Sequence, residues 1–271
     1  LCFSNLGKVY WLKVYLIPLA GRNSRGRPMV NLLPLEAGER VTSILPVEEY
    51  AEGHYIFMAT ANGTVKKTPL TDFARRRSVG LRALHLDDDD VLVGTAITQG
   101  DCDVMLFSSE GKAVRFKETD VRSMGRTARG IRGIRLGEGY TMISLIIPQP
   151  DGMVLSVSEN GYGKRTQIEG FPTKGRGGKG LIAMSTSDRN GKMVGAVQVF
   201  DGDELMLISN QGTLVRTRSD EVSILGRNTQ GVRVIRTKDG ESLVGVQRID
   251  EPDADLILEN SEDEIEDGAA D

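Results

Sequence analysis

Phe57-Met58-Ala59-Thr60-Ala61-Asn62-Gly63-Thr64-Val65-Lys66-Lys67-Thr68 is the stretch whose reading decides the fold. Asn-Gly sets two positive-φ positions side by side, which suits a two-residue turn matched to the twist of antiparallel strands. The flanks alternate apolar and polar residues, as strands with one buried face do. The stretch therefore predicts a β-hairpin. The same unit returns as Met105-Leu-Phe-Ser-Ser-Glu-Gly-Lys-Ala-Val-Arg-Phe-Lys117, Val154-Leu-Ser-Val-Ser-Glu-Asn-Gly-Tyr-Gly-Lys-Arg165 and Met206-Leu-Ile-Ser-Asn-Gln-Gly-Thr-Leu-Val-Arg-Thr-Arg218. The opening Leu1-Cys-Phe-Ser-Asn-Leu-Gly-Lys-Val-Tyr10 is a further copy, so turn glycines fall at 7, 63, 111, 161 and 212.

A second mark keeps the same period. Gly80-Leu-Arg-Ala-Leu, Gly130-Ile-Arg-Gly-Ile, Gly180-Leu-Ile-Ala-Met and Gly231-Val-Arg-Val-Ile follow one another at intervals of 50, 50 and 51 residues, with Gly26-Arg-Pro-Met-Val 54 residues earlier. After each comes a polar turn, as at Asp87–Asp90 or Asp188–Gly191, and then an apolar strand such as Val91-Leu-Val-Gly-Thr-Ala-Ile97. Each repeat thus reads as about four strands in two hairpins. Such a unit, repeated at this length, predicts an all-β, propeller-like ring in which neighbours cover one another's apolar faces. The Asp87–Asp90 run has the composition of a cation site, but its place in the repeat makes it a turn. Helical periodicity is scarce; Asp72–Arg77 and Thr119–Arg126 have room for one turn of helix at most.

Composition agrees. Of 271 residues, 32 are Gly and 5% are aromatic, a balance that favours turns over long helices. No apolar run reaches membrane-spanning length; Met142–Pro148 is among the longest. The N-terminus has no basic region followed by a cleavage site and no initiator Met, so the expectation is a cytoplasmic fragment of a longer chain. Cys2 and Cys102 lack a CxxC spacing and are expected to be buried free thiols, and with His54 and His85 far apart nothing points to a triad or a zinc centre. No cofactor and no metal is expected.

The net charge of −4 conceals an asymmetry: residues 1–250 carry +6, whereas 251–271 contain ten acidic residues and no base. The body is basic and the tail reads as disordered, either solubilising or competing for the basic surface. In the body the bases recur at fixed places. One set lies on the second hairpin strand: Lys66 and Lys67, Arg115 and Lys117, Lys164 and Arg165, Arg216 and Arg218. Another flanks the Gly-led strand: Arg75, Arg76, Arg77 and Arg82; Arg126, Arg129, Arg132 and Arg135; Lys174, Arg176 and Lys179; Arg227, Arg233 and Arg236. A feature held at one point of every repeat falls on one side of the assembled ring, which predicts a cationic band suited to the phosphates of duplex DNA, with little sequence preference. Spaced contacts of that kind also offset the elastic cost of curving the duplex. Lys174-Gly-Arg-Gly-Gly-Lys-Gly180 is the sharpest local motif, a small-residue loop able to approach a phosphate closely; it is not a P-loop, because no Gly-Lys-Ser/Thr opens a helix.

Arg25-Gly-Arg-Pro-Met-Val-Asn-Leu-Leu-Pro-Leu35, Met58–Thr68, Gly130-Ile-Arg-Gly-Ile-Arg-Leu-Gly-Glu-Gly139 and Gly226-Arg-Asn-Thr-Gln-Gly-Val232 resemble the C-terminal domain of the bacterial DNA gyrase A-type subunit, over about residues 1–250. The resemblance implies a six-bladed β-pinwheel spanning 1–250 with an acidic tail at 251–271. It also implies DNA wrapping that lets an ATP-driven topoisomerase, built from two A-type and two B-type subunits, introduce negative supercoils. It implies no catalytic role for any tyrosine here, and a monomer for the isolated domain. The family's Gln-Arg-Arg-Gly-Gly-Lys-Gly box is matched at 176–180 only, and by repeat spacing its own place precedes Leu1; a first blade cut short and weak wrapping are therefore expected. The corresponding domain of topoisomerase IV is the near alternative. A protein-interaction scaffold would carry mixed charge at the rim, and a propeller enzyme would need converging acids, His or metal ligands.

Overall fold

The computed structural model describes residues 1–19 and 26–249; the acidic segment 251–271 lies outside the described residues. Short strands follow one another along the chain: β1 (Cys2–Ser4), β2 (Lys8–Tyr10), β3 (Val41–Ile44), β4 (Tyr55–Thr60), β5 (Thr64–Pro69), β6 (Leu81–Arg82), β7 (Leu92–Thr98), β8 (Asp103–Ser108), β9 (Lys112–Lys117) and β10 (Ile131–Arg132). They continue with β11 (Met142–Ile146), β12 (Met153–Ser158), β13 (Tyr162–Gln167), β14 (Leu181–Ile182), β15 (Met193–Val199), β16 (Glu204–Ser209), β17 (Leu214–Arg218), β18 (Val232–Arg233) and β19 (Leu243–Ile249). Each turn glycine sits in its expected hairpin, with φ between +70° at Gly7 and +83° at Gly111. The helical content of the described residues is six short 3-10 turns, four of them after hairpins at Leu70–Phe73, Glu118–Asp120, Ile168–Gly170 and Ser219–Glu221, the others at Val14–Leu16 and Met29–Asn31.

The sheets differ from the expected repeat in one respect. The two-residue strand led by Gly does not join its own hairpin. β6 pairs with β2, β10 with β5, β14 with β9 and β18 with β13, so each of the four-stranded sheets takes one edge strand from the next repeat. Sheet order is β3-β1-β2-β6, β10-β5-β4-β7, β11-β8-β9-β14, β15-β12-β13-β18 and β17-β16-β19. The six-bladed expectation is thereby corrected: the described residues form five sheets, four of four strands and one of three. Each sheet is built on its own hairpin, and the described residues hold hairpins at five turn glycines.

The exchange is fastened at the turn glycine. Gly7 O accepts Ala83 N, Gly63 O accepts Gly133 N, Gly111 O accepts Ala183 N and Gly161 O accepts Val234 N, each at 2.8 Å. A Cβ at Gly7 would stand 2.9 Å from Leu84 O, and one at Gly63 2.8 Å from Ile134 O, while one at Gly161 would collide with Ile235 O. These sites need glycine twice over, for positive φ and for close approach of the next repeat's backbone.

The core lies between sheets. In β4, Ile56 and Met58 pack with Phe3, Val9 and Phe73 toward the first sheet, while Phe57 and Ala59 pack with Val104, Leu106 and Phe116 toward the third. In β8 the same alternation sends Met105 and Phe107 on to Val154 and Phe171. A strand covered on both faces buries every residue, and β4 from Ile56 to Thr60 does. Strands β3, β7, β11, β15 and β19 pack against one another at the inner edge. The exchanged strands therefore lie at the outer edge, and so do the loops leading into them.

Gly161→Ala and Gly212→Ala separate the two demands on the turn. Both have positive φ, but nothing lies within 4 Å of a Cβ at Gly212. Gly212→Ala is expected to cost about 1–2 kcal/mol from the left-handed conformation alone, and Gly161→Ala about 2 kcal/mol more, as the docked strand is displaced. Urea unfolding midpoints of the two variants measure the difference.

Candidate nucleic-acid interface

Three of the four outer loops are tied by a backbone hydrogen bond to the hairpin strand of the preceding sheet before they become the exchanged strand. Met124 N donates to Lys67 O at 2.8 Å, Lys174 N to Arg115 O at 2.7 Å and Leu225 N to Arg165 O at 2.8 Å. Between that tie and the leading glycine the chain reads Gly125-Arg-Thr-Ala-Arg-Gly130, Lys174-Gly-Arg-Gly-Gly-Lys-Gly180 and Gly226-Arg-Asn-Thr-Gln-Gly231, with Ala74-Arg-Arg-Arg-Ser-Val-Gly80 in the earlier repeat; none of these contains an acid. An arginine stands four residues before each glycine, at 76, 126, 176 and 227.

The cations sort into three groups. Arg75, Arg76, Arg77, Arg82, Arg132, Arg135, Lys174, Lys179, Arg233 and Arg236 are exposed on the outer loops and strands. A second group is engaged at the surface. Arg129 pairs with Asp87 at 2.6 Å, Arg216 with Glu204, and Arg218 with Asp220 at 3.1 Å. Arg115 and Lys117 share Asp103, Arg115 Nε at 2.7 Å and Lys117 Nζ at 2.7 Å. Arg176 donates to the carbonyls of Asp120 and Arg132 at 3.0 and 3.1 Å, and Arg227 to that of Ile182 at 2.8 Å, so both guanidiniums clip neighbouring outer strands together. Arg126, half-buried, stands at the equivalent point of its own loop.

The third group is inside. Lys66 and Lys164 are wholly buried, and Lys67 and Arg165 nearly so. Lys67 lies 3.7 Å from the buried carboxylate of Glu118 and 4.9 Å from the centre of the Tyr55 ring. Glu118 also accepts from Thr98 Oγ1, Gly100 N and Cys102 Sγ at 2.5, 3.0 and 3.0 Å. Burial, then the hydrogen bond to Glu118 and its charge, push the Cys102 thiol up to about 12. Cys2 and Cys102 are both free, Cys2 buried and Cys102 half-buried. Arg165 donates Nε to Val222 O at 2.8 Å and meets Asp201 at 3.1 Å. These side chains are held by protein groups rather than turned out to solvent.

The Lys174–Gly180 loop uses part of its backbone internally, since Gly177 N donates to Gly133 O at 2.6 Å. A cavity of about 190 Å³ opens beneath it, floored by Val114, Phe171 and Pro172 and rimmed by Lys174 and Lys179. The aspartate run is a turn: Asp90 Oδ1 accepts the backbone N–H groups of Asn62 and Val91, both at 2.9 Å.

Sequence reasoning passed over one constellation. Arg189 and Arg233 both lie against the Tyr162 ring, with Cζ 5.1 and 5.2 Å from its centre, and both donate to its hydroxyl, at 3.2 and 3.0 Å. Those hydrogen bonds, Arg189's first, hold the phenol below its ordinary range. The available signal was a break in the repeat: Tyr162 stands where other hairpins have Lys8, Thr64, Lys112 and Thr213.

The family model for the DNA gyrase C-terminal domain, a beta-propeller, matches residues 1–48, 54–99, 103–149, 152–199 and 203–250, one block per hairpin. The DNA gyrase A-type subunit of Salmonella typhimurium is 55% identical over 271 residues, 100% of this chain and 31% of the relative. The DNA gyrase A-type subunit of Escherichia coli is 58% identical over 252 residues, 93% of this chain and 29% of the relative. The chain thus spans under a third of the length of these relatives. A solved DNA gyrase A C-terminal domain superposes with a TM-score of 0.79 at 28% identity, covering 92% of this chain and 81% of that one. The C-terminal domain of DNA topoisomerase IV gives 0.84 at 23% identity, covering 92% and 78%, which shows a shared fold.

Asp103 supplies a test of how the surface cations are held. Burial alone would raise its carboxyl, but the hydrogen bonds from Lys117 and Arg115 outweigh burial and set it below the ordinary carboxylate range. A depressed folded value stabilises the fold above the unfolded value of about 3.9, and that contribution is lost as pH falls through the folded value. In Asp103→Asn the component is missing, so the drop in urea midpoint between pH 6 and pH 3 should be smaller than in the parent.

Proposed function

The chain belongs to the DNA gyrase C-terminal domain, beta-propeller family, and from that premise we propose that it binds duplex DNA along its outer edge and curves it there. The observation that carries this is the recurrence of an acid-free, arginine-bearing loop before every exchanged strand, at the edge opposite the packed inner strands. Exposed cations at Arg75–Arg77, Arg82, Arg132, Arg135, Lys174, Lys179 and Arg236 lie along successive sheets, and the Arg189–Arg233 pair adds a further contact. Phosphate contacts of this kind fix the path of the duplex without reading its sequence. Spacing them from sheet to sheet around a curved edge offsets a bending cost of order 1–6 kcal/mol for a site of 20–30 base pairs.

Within a full-length gyrase A-type subunit, this domain would deliver a curved segment to the cleavage machinery of an ATP-driven topoisomerase that introduces negative supercoils. Its partners in that reading are duplex DNA, the remainder of its own A-type polypeptide and the gyrase B-type subunit; the domain itself makes and breaks no bond and needs no cofactor of its own. An interaction scaffold fits less well, because acids are missing from all four outer loops.

A mobility-shift titration at several salt concentrations tests the reading. The parent should bind unrelated duplexes with similar affinity and a steep salt slope. Arg135→Ala, Lys174→Ala and Lys179→Ala together should weaken binding to every duplex alike and lower the slope by up to about 0.9 per contact removed. Affinity that is insensitive to salt, or to these substitutions, would overturn the proposal.

A further inference from the structure

Lys66 and Lys164 occupy equivalent positions, three residues after the turn glycines Gly63 and Gly161, and both are wholly buried. Among the described residues neither ammonium meets a carboxylate. Lys66 Nζ donates to the carbonyls of Ala83 at 2.7 Å and Arg126 at 2.5 Å. Lys164 Nζ donates to the carbonyls of Gly226, Arg227 and Thr229 at 2.8, 2.5 and 3.1 Å, and lies 3.2 Å from Thr229 Oγ1. Arg126 and Arg227 are the arginines four residues before Gly130 and Gly231, so both lysines grip the same point of the following outer loop.

A buried ammonium is costly, and a methionine would fill the same space without that cost. What only the ammonium does is gather several carbonyl oxygens at one point, because it has three donors and no acceptor. A trans peptide sets its C=O and N–H in opposite directions. Drawing the carbonyls of Arg126, Gly226 and Arg227 inward therefore turns the N–H groups of Thr127, Arg227 and Asn228 away from the ammonium, toward the outer edge. The intervening sheet is the natural control. Its equivalent residue is Val114, no ammonium is present, and the cavity of about 190 Å³ opens between Val114 and Gly175, Gly178 and Lys179.

We propose that Lys66 and Lys164 are positioning residues that build backbone-amide sites for phosphodiester groups at Thr127 and at Arg227–Asn228, without touching the nucleic acid themselves. The proposal rests on the DNA-binding reading above and adds to it: two of the outer loops bind through aimed N–H groups as well as through charge, and the loop between them, lacking the pin, binds through Lys174 and Lys179.

Direct contact and positioning differ in their salt dependence. A lysine on a phosphate contributes to counterion release, whereas an uncharged N–H does not. Lys66→Met and Lys164→Met should each weaken duplex binding about tenfold while leaving the salt slope unchanged. A slope reduced by about 0.9 per substitution would mean that the lysine itself meets the phosphate, and unchanged affinity would mean that the pinned loop is not used; either overturns the proposal.

The parent protein gives a second arm that needs no variant. Burial, then the nearby Arg126, lower Lys66 to about 8 against a partial offset from Asp72, and burial, then Arg227, lower Lys164 to about 8. Between pH 7 and 9.5 the pins discharge, so duplex affinity should fall and amide protection at 126–128 and 227–229, taken against the intrinsic exchange rate at each pH, should fall in the free protein. Stability moves the other way. Between about 8 and the unfolded lysine value of about 10.4 the folded state binds fewer protons than the unfolded, so the urea midpoint gains from these two groups as pH rises. Global loosening is thereby told apart from release of the pins. Flat affinity and unchanged loop protection across this range overturn the proposal. A parent that binds no duplex at low salt refutes the DNA-binding reading instead, and loop exchange in the free protein still reports on the pins.

Discussion

Everything in this fold depends on a glycine carbonyl that accepts a strand from the next repeat. At Gly7, Gly63, Gly111 and Gly161 a tight turn with positive φ presents its C=O to an incoming N–H at 2.8 Å. The exchanged strand is only two residues long, too short to hold a sheet edge by itself. It is held because the carbonyl lies where a side chain would otherwise stand, and in three of the four because the loop before it is tied to the hairpin strand a few residues further on. One backbone geometry thus joins sheet to sheet, and sends each repeat's basic loop to the outside of the preceding sheet rather than of its own.

The exchange also explains how one residue type serves opposite ends. Sheet strands covered on both faces have no solvent side, so Lys66 and Lys67, pointing opposite ways from β5, are both enclosed. Their heads find carbonyls and Glu118. Cations on the loops outside the last strand have no such cover. Arg135, Lys174 and Lys179 stay in water, where a phosphate can displace a solvent shell at small cost. Position relative to the exchanged strand, not residue type, decides whether a cation holds the protein together or is offered to a partner.

The hairpins, the Gly-led strands and the aspartate turn were legible in the sequence because each depends on local chemistry: Asn-Gly at 62–63, a glycine every fifty residues or so, Asp90 capping its own turn. The pairing of β6 with β2 was not legible, since a two-residue strand carries no pattern that names its partner, and the chain between them is long. The number of sheets was legible in the five turn glycines at 7, 63, 111, 161 and 212; the sixth blade came from the family resemblance alone. The basic band was legible as a count, but not its sorting. The polar run Lys66-Lys67-Thr68 suggests a wet face, whereas exchange and stacking dry both faces of the strand. The Arg189–Tyr162–Arg233 stack joins residues 27 and 71 positions from the tyrosine, beyond any local reading.

The differences among repeats then carry more information than their likeness. Where an ammonium lies beneath the outer loop, in the second and fourth sheets, the loop sequences Gly-Arg-Thr-Ala-Arg and Gly-Arg-Asn-Thr-Gln hold one or two cations. Where Val114 leaves the space open, the loop is Lys-Gly-Arg-Gly-Gly-Lys, with three cations, and Arg176 clips it to Asp120 and Arg132 from outside. A glycine-rich loop without an internal pin has more backbone freedom to lose on binding, and additional charge is one way to offset that loss. On the DNA-binding reading proposed above, alternation between a preset loop and an adaptable one would let a stiff duplex be gripped at fixed points while the intervening contact adjusts to its local path. On a curved edge, that division of labour would tolerate sequence-dependent variation in how DNA bends, a tolerance that binding without sequence preference requires.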